Sequence, residues 1–300
     1  MRSVIVVVLI VAVALLIAGG VLVAVGISNL KKNGNHESVL TNREVVIQEH
    51  FDSVLVNTAD CDVTFAPCQE NEQPRVEIKD REKIHHEAKV EDGVLKIQMV
   101  DKRQWMDYFV IADLSWERMH VNVYMPQKEY ESLNIHTATG DIKIPDTFSA
   151  KEILIKSETG RVQCAAAASD LVDCNTTTGD IQISNCTPEK LRVNSNTGRV
   201  ALSAISQSGE ITAKNNTGEV SMTDVICKSL NVKTTTGRIS LSACDSEQAN
   251  LESTTGNVSG NFRTPKRFNA HTTTGNVDVN SSSEGNPCQI RTTTGNISFR

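Results

Sequence analysis

Asp141, Asp180 and Glu219 stand at equivalent places in a repeated phrase of this chain, each directly after a Thr-Gly pair. Two carboxylates about 6.5–9.5 Å apart can cleave a glycosidic bond with inversion, one donating a proton while the other activates water. If the phrase forms parallel stacked strands about 4.8 Å apart, alternate repeats hold these groups about 9.6 Å apart, near the upper limit of that window. Arg161 and Arg199 fall between them. A guanidinium beside a carboxylate lowers its pKa, the wrong direction for a general acid. The column therefore reads as a charge ladder that sets strand register, since structural ion pairs imitate active sites. No catalytic residue is assigned.

His85 and His86, beside Glu82 and Glu87, have the residue types of a metal site. Neighbours on a strand face opposite ways and do not readily share an ion, so the pair is expected on a solvated strand surface. No Gly-rich phosphate loop and no nucleophile motif occurs, and neither a metal nor a cofactor is expected. The eight cysteines are Cys61, Cys68, Cys164, Cys174, Cys186, Cys227, Cys244 and Cys288, without a CxxC pattern. Cys164 and Cys174 occupy apolar columns and read as small buried hydrophobes. Cys61 and Cys68 flank one short segment and could pair in an exported protein. Both tryptophans and two of the three tyrosines lie between Trp105 and Tyr124. Trp105, Tyr108, Phe109 and Trp116 are therefore the candidate ligand-binding residues. The same side chains also suit a capping core, the reading that the usual burial of large apolar groups favours.

What must position these groups is a repeat. The Gly of each Thr-Gly pair falls at 140, 160, 179, 198, 218, 237, 256, 275 and 295, spaced by 19 or 20 residues. Two residues later come Ile142, Val162, Ile181, Val200, Val220, Ile239, Val258, Val277 and Ile297, all β-branched. The fourth position after the glycine is again apolar, with Gly260 the exception, as are the fifth and seventh before it, for example Leu133/Ile135 and Leu230/Val232. This period-two alternation marks strands with one buried face. Its parity shifts across the glycine, so the chain bends there.

The residue just after each glycine reads Asp141, Arg161, Asp180, Arg199, Glu219, Arg238, then Asn257, Asn276 and Asn296. In a parallel stack opposite charges meet and the asparagines form a ladder; a meander has no reason to obey this order. The expectation is an all-β parallel β-helix (β-solenoid) of about nine regular 19–20-residue coils, a rod of roughly 43 Å, right-handed by the chirality of parallel connections. Stacked in chain order, the last coil would end the rod at Phe299. Its open edge would then be covered by a loop such as Ser281 to Pro287, discouraged from pairing by Arg291 and Arg300, or used for end-to-end self-association through the C-terminal coil.

Ahead of the repeats, VLVNTADCDVTF (Val54 to Phe65) fits the phrase with Cys61 in the Gly position and Thr58 in a Thr column, a degenerate first coil. Asp92-Gly93 signals a hairpin and His120 to Pro126 a strand, together a capping insertion. From Val4 to Ile27 there are 24 residues without a charge. As a helix they would span about 36 Å, enough for a bilayer core of roughly 30 Å, and they exceed the roughly 7–15 apolar residues of a cleavable signal. Ala24-Val25-Gly26 imitates a cleavage site, but the length favours an anchor. Lys31 and Lys32 lean toward a cytoplasmic body, whereas the Thr/Asn/Ser-rich body reads as a surface module and is expected to be extracellular. The organisation is then 1–30 transmembrane anchor, 31–48 juxtamembrane linker, 49–132 degenerate first coil and β-rich cap, and 133–300 β-helix repeats.

A net charge of −6 without a Lys/Arg run excludes a nucleic-acid footprint. The anchor, the FDSVLVNTADCDVTF opening, the hairpin of Asp92, Gly93, Leu95 and Ile97, the strand ending in Pro126 and the TxTGDIxI coils resemble a large bacterial family of β-strand-repeat proteins. That resemblance implies a membrane-anchored, adhesin-like protein of unknown molecular function, and it covers nearly everything after about Phe51. The resulting expectation is a non-enzymatic, membrane-anchored surface binding or interaction module with a protein or glycan partner. A scaffold in envelope-stress signalling and a carbohydrate-active β-helix enzyme (lyase or glycosidase) are the alternatives.

Overall fold

The computed structural model describes residues 40–69, 71–103 and 118–300. The apolar run Val4–Ile27 and the aromatic candidates Trp105, Tyr108, Phe109 and Trp116 lie outside the described residues. Among the described residues every regular element is a strand, and all strands pair into one sheet that winds on itself as a parallel β-solenoid. A coil consists of a longer strand, a glycine corner and a shorter strand. The first regular coils are β7 (Glu129–Thr139) with β8 (Ile142–Ile144), β9 (Ser149–Thr159) with β10 (Val162–Cys164), and β11 (Ala167–Thr178) with β12 (Ile181–Ser184). After β13 (Lys190–Thr197), strands β14 (Val200–Thr217), β15 (Val220–Thr236) and β16 (Ile239–Thr255) each run from one glycine corner to the next.

The register follows the sequence columns. Ile142, Val162, Ile181, Val200, Val220, Ile239 and Val258 pair with one another in succession, and all are buried. At the corner Gly218 has φ +135°, and a Cβ there would lie 2.0 Å from the carbonyl oxygen of Gly198. No side chain fits between two stacked corners. Three residues before the glycine a short polar side chain points inward, and in several coils it reaches the neighbouring corner's carbonyl: Asn215 donates to Gly198 O at 2.8 Å and Ser253 to Gly237 O at 3.2 Å. The phrase Thr-x-Thr-Gly is thus one inward hydroxyl, one outward pair and one corner that must lack a Cβ.

The stack departs from chain order at its C-terminal end. β17 (Val258–Phe262) pairs not with the next coil in sequence but with β21 (Ile297–Phe299), and β16 pairs with β20 (Asn286–Thr294). β20 and β21 in turn pair with β18 (Lys266–Thr274) and β19 (Val277–Val279). The coil at the chain's end is therefore inserted between two earlier ones, and the rod ends on β18–β19. This corrects the expected terminal position of the C-terminal coil. Side-chain size accounts for it. Gly260 leaves a gap in the apolar column, and the ring of Phe299 lies opposite it in register. Phe299 then packs 5.6 Å from Phe262 and 5.4 Å from Phe268, a three-ring plug near the end of the core. Val277, by contrast, is 44% exposed although its column is otherwise buried.

The opposite end is closed by antiparallel strands. β2 (Ser53–Pro67) is the first coil, with Cys61 beside Gly140 as the sequence predicts, and Val54, Val56, Val63 and Phe65 inside. β5 (Val94–Asp101) and β6 (Met119–Met125) lie parallel against its two halves. β4 (Ile84–Glu91) pairs antiparallel with β5 through the Asp92-Gly93 turn. β3 (Arg75–Arg81) pairs antiparallel with β6, and β1 (Leu40–Val46) with β3.

Candidate binding face

On the sheet of long strands, residues two and four before each glycine point outward. Across β9, β11, β13 and β14 they line a shallow groove of about 520 Å³, Lys156, Asn175, Asn194 and Lys214 four before the glycine and Glu158, Thr177, Asn196 and Asn216 two before it. Register aligns Lys156, Asn175, Asn194 and Lys214 in one column. The amides are tied together: Asn194 Nδ2 donates to Asn175 Oδ1 at 2.8 Å, Asn175 Nδ2 to Asp173 Oδ1 at 2.6 Å, and Asn216 Nδ2 to Asn196 Oδ1. A carboxamide has two N–H donors and two acceptor lone pairs, so each keeps polar capacity for a ligand after this bond is made. Sequence reasoning missed this face because its Asn and Thr are also ordinary residues of a solvated strand surface; the signal was their outward parity in consecutive coils.

The carboxylate column is committed elsewhere. Asp141 Oδ1 accepts the backbone N–H of Arg161 at 2.8 Å, and Asp180 Oδ1 that of Arg199 at 2.9 Å. Asn257 and Asn296 repeat the contact, accepting from Asn296 N at 2.8 Å and Asn276 N at 2.9 Å, again in the order of the inserted coil. Among the described residues the column contains one ion pair, Arg199–Glu219 at 3.4 Å. The alternating charges thus contribute less to register than the Asp and Asn side-chain oxygens that bridge these corners.

His86 corrects the reading of a solvated pair. It is fully buried, while His85 is half-buried on the opposite side of β4. His86 Nδ1 lies 2.6 Å from Asp80 Oδ1, and its Nε2 lies 2.6 Å from Thr58 Oγ1. Asp80 Oδ2 also accepts the His86 backbone N–H at 2.7 Å and the Arg43 guanidinium at 3.4 Å. With a proton on Nδ1 facing the carboxylate, Nε2 accepts the threonine O–H, the connectivity of a hydrolytic triad. Thr58 is 5% exposed, Asp80 3% and His86 0%. The hydroxyl therefore faces packed protein, and the group joins β1, β3 and β4 to the first coil. Strand parity turns one histidine of the pair inward, against the expectation of a solvated pair; Asp80 and Thr58 come together only through the hairpin and the coil closure.

The thiols are structural. All eight cysteines are free, and all but half-buried Cys68 are buried. Cys61 and Cys68 lie seven residues apart along an extended strand segment, about 23 Å, far beyond the roughly 7 Å limit of a bridge. A bridge between them, which the sequence left open, is excluded. Burial pushes the thiols of Cys164, Cys186, Cys227 and Cys288 up to about 12, which suppresses the reactive thiolate. At the other end Lys266 is 1% exposed, and its ammonium donates to Asp245 Oδ1 and Ser246 O, each at 2.5 Å, and to Thr264 Oγ1 at 3.1 Å.

A crystal structure described as a "putative adhesin" from Bacteroides fragilis is similar, with 11% identity over 88% of this chain and 98% of that chain, at a TM-score of 0.48. One so described from Parabacteroides distasonis shows 13% identity over 87% and 98%, at 0.43. A "putative lipid binding protein" from the same species shows 18% identity over 89% and 98%, at 0.41. No curated protein sequence matches the chain. Residues 51–216 and 205–300 match the Toastrack DUF4097 description, which spans all the coils. With its glycine corners, parallel register and first coil all inside the matched residues, the chain belongs to the Toastrack DUF4097 family.

Proposed function

We propose that the chain is a non-enzymatic binding module, held by a single N-terminal membrane anchor with its solenoid outside the cell. The observation that carries this reading is the outer face of β9, β11, β13 and β14, where outward-facing polar side chains are held in place by their own hydrogen bonds. Such preorganisation lowers the ordering cost of binding. An enzymatic role is disfavoured on geometry: the triad-like hydroxyl is enclosed, Asp141 and Asp180 each hold a backbone N–H, and Glu219 lies against Arg199. The uncharged length of Val4–Ile27 supports the anchor. Protease treatment of intact cells tests the orientation, with loss of the solenoid expected while a cytoplasmic marker survives. The purified chain in detergent should also bind isolated cell-surface material and release it unchanged. Full protection in intact cells, or turnover of the bound material, would refute the proposal.

A further inference from the structure

We infer that the groove over β9, β11, β13 and β14 takes a linear acidic glycan, a step that rests on the surface-binding reading above. The groove offers two kinds of contact in a fixed pattern. One column reads Lys156, Asn175, Asn194, Lys214 along the rod axis. At about 4.8 Å per coil the two lysines stand about 14 Å apart, with two carboxamides between them. Beside it run Glu158, Thr177, Asn196 and Asn216.

The amides are already oriented by the Asn194–Asn175, Asn175–Asp173 and Asn216–Asn196 bonds. The remaining N–H and lone pair of each amide form a donor–acceptor couple, the complement of a sugar's neighbouring hydroxyls. Among the described residues neither Lys156 nor Lys214 has an ion-pair partner, and both are exposed. Lysine binds an anionic group as a point charge, so carboxylates spaced along a sugar chain meet a cation at each end. Glu158 on one rim and Asp173 behind Asn175 disfavour a densely charged polyanion, which would meet both acids. Hydroxyls between spaced carboxylates are the chemistry that matches the whole groove: every sugar offers adjacent donor–acceptor hydroxyls, whereas an extended peptide turns its N–H and C=O groups alternately to opposite sides.

The test uses the full chain in detergent and isothermal titration with three probes: a hyaluronan tetrasaccharide, in which each uronate is followed by a neutral sugar, a neutral tetrasaccharide of galactose, and a glutamate tetrapeptide. The acidic tetrasaccharide is expected to bind most tightly. Its affinity should fall about tenfold in the double variant Lys156→Gln/Lys214→Gln and again in Asn194→Ala/Asn196→Ala. The change Lys233→Gln, at a lysine already paired with Glu252 at 3.1 Å, should leave it unchanged. Thermal unfolding of each variant checks that the exposed substitutions leave the fold intact. Equal binding of the neutral sugar or of the peptide overturns the acidic-glycan assignment. Uronate binding that survives both groove variants overturns the site. Capture of cell-surface material without any uronate binding overturns the ligand class while the surface-binding reading stands. Failure to bind either defeats both.

Discussion

Asp180 accepts a hydrogen bond from the N–H of Arg199 in the next coil, while the Arg199 side chain is 62% exposed and 3.4 Å from Glu219. These contacts differ in worth. A lost acceptor leaves a corner N–H without its partner and costs about 1 kcal/mol, whereas an exposed ion pair contributes about 0–1 kcal/mol and is screened by salt. Asp180→Ala should therefore lower urea-unfolding stability by about 1 kcal/mol at low and high salt alike. Arg199→Glu, which sets three acids in successive coils, should cost less than about 1 kcal/mol and recover part of it in salt. Equal losses that both vanish in salt would restore the charge ladder as the main device. Inside the coil, Val220 is fully buried. Val220→Asp buries an unpaired carboxylate and should cost several kcal/mol; a variant melting like the parent would refute the column.

At the scale of strands, the alternation that buries one face also hides the thiols. Native protein treated with a thiol reagent should be labelled at Cys68, the half-buried member, and at the other seven only after unfolding. Rapid labelling of Cys227 or Cys288 in the native state would contradict their placement. Burial raises the folded pKa of Cys164, Cys186, Cys227 and Cys288 from 9.0 to about 12. A raised folded value means that the stabilising contribution is whole below the unfolded pKa and is lost as pH climbs through the folded one. Unfolding followed by urea should therefore show stability falling between about pH 9 and 12, and the four-fold Cys→Ala variant should flatten that decline. In the antiparallel cap, His86→Ala removes a ring that bonds both Asp80 and Thr58. Such a loss of buried partners costs about 1–3 kcal/mol per group, and hydrogen exchange should report it first in β3 and β4.

For the whole molecule the decisive feature is the inserted coil. The Lys266 ammonium reaches Asp245 and Ser246 O on β16 from the start of β18, and Asn286 of the inserted β20 also approaches Ser246 O at 3.4 Å. Burial alone would raise the Asp245 pKa, but Lys266, Thr264 and the Ser246 N–H together lower it. A depressed folded value means that its contribution is present above the ordinary 3.8 and lost as pH falls below it. Acid should thus weaken the contact between β16 and β18, and Lys266→Met should reduce that dependence while Thr264 and the Ser246 N–H still hold the carboxylate. Deleting Asn286 to Arg300 removes an internal rung, so Lys266 to Val279 should lose hydrogen-exchange protection as well. Retained protection there would require coils stacked in chain order. The proposed end-to-end self-association moves accordingly to the open β18–β19 edge, where Ser281 Oγ already accepts the Phe268 N–H at 3.0 Å. Mass measured across a wide concentration range should show association that Val277→Lys removes; a strict monomer would end that proposal.

Much of the solenoid was legible in the residues alone. Inward columns, corners and the coil of Cys61 follow from local rules repeated at fixed spacing: alternate side chains face opposite ways, and a Cβ cannot enter a stacked corner. The order of the last coils was not legible in that way. Asn257, Asn276 and Asn296 follow nearly identical Thr-Thr-Gly phrases, so every stacking order satisfies the columns equally. Tertiary packing decided it, through Phe299 against the gap at Gly260 and the reach of Lys266 to Asp245. The cap behaves likewise. Its strands have no repeat to align them, so the meeting of Thr58, His86 and Asp80 is set by chain closure over distant residues rather than by any local pattern.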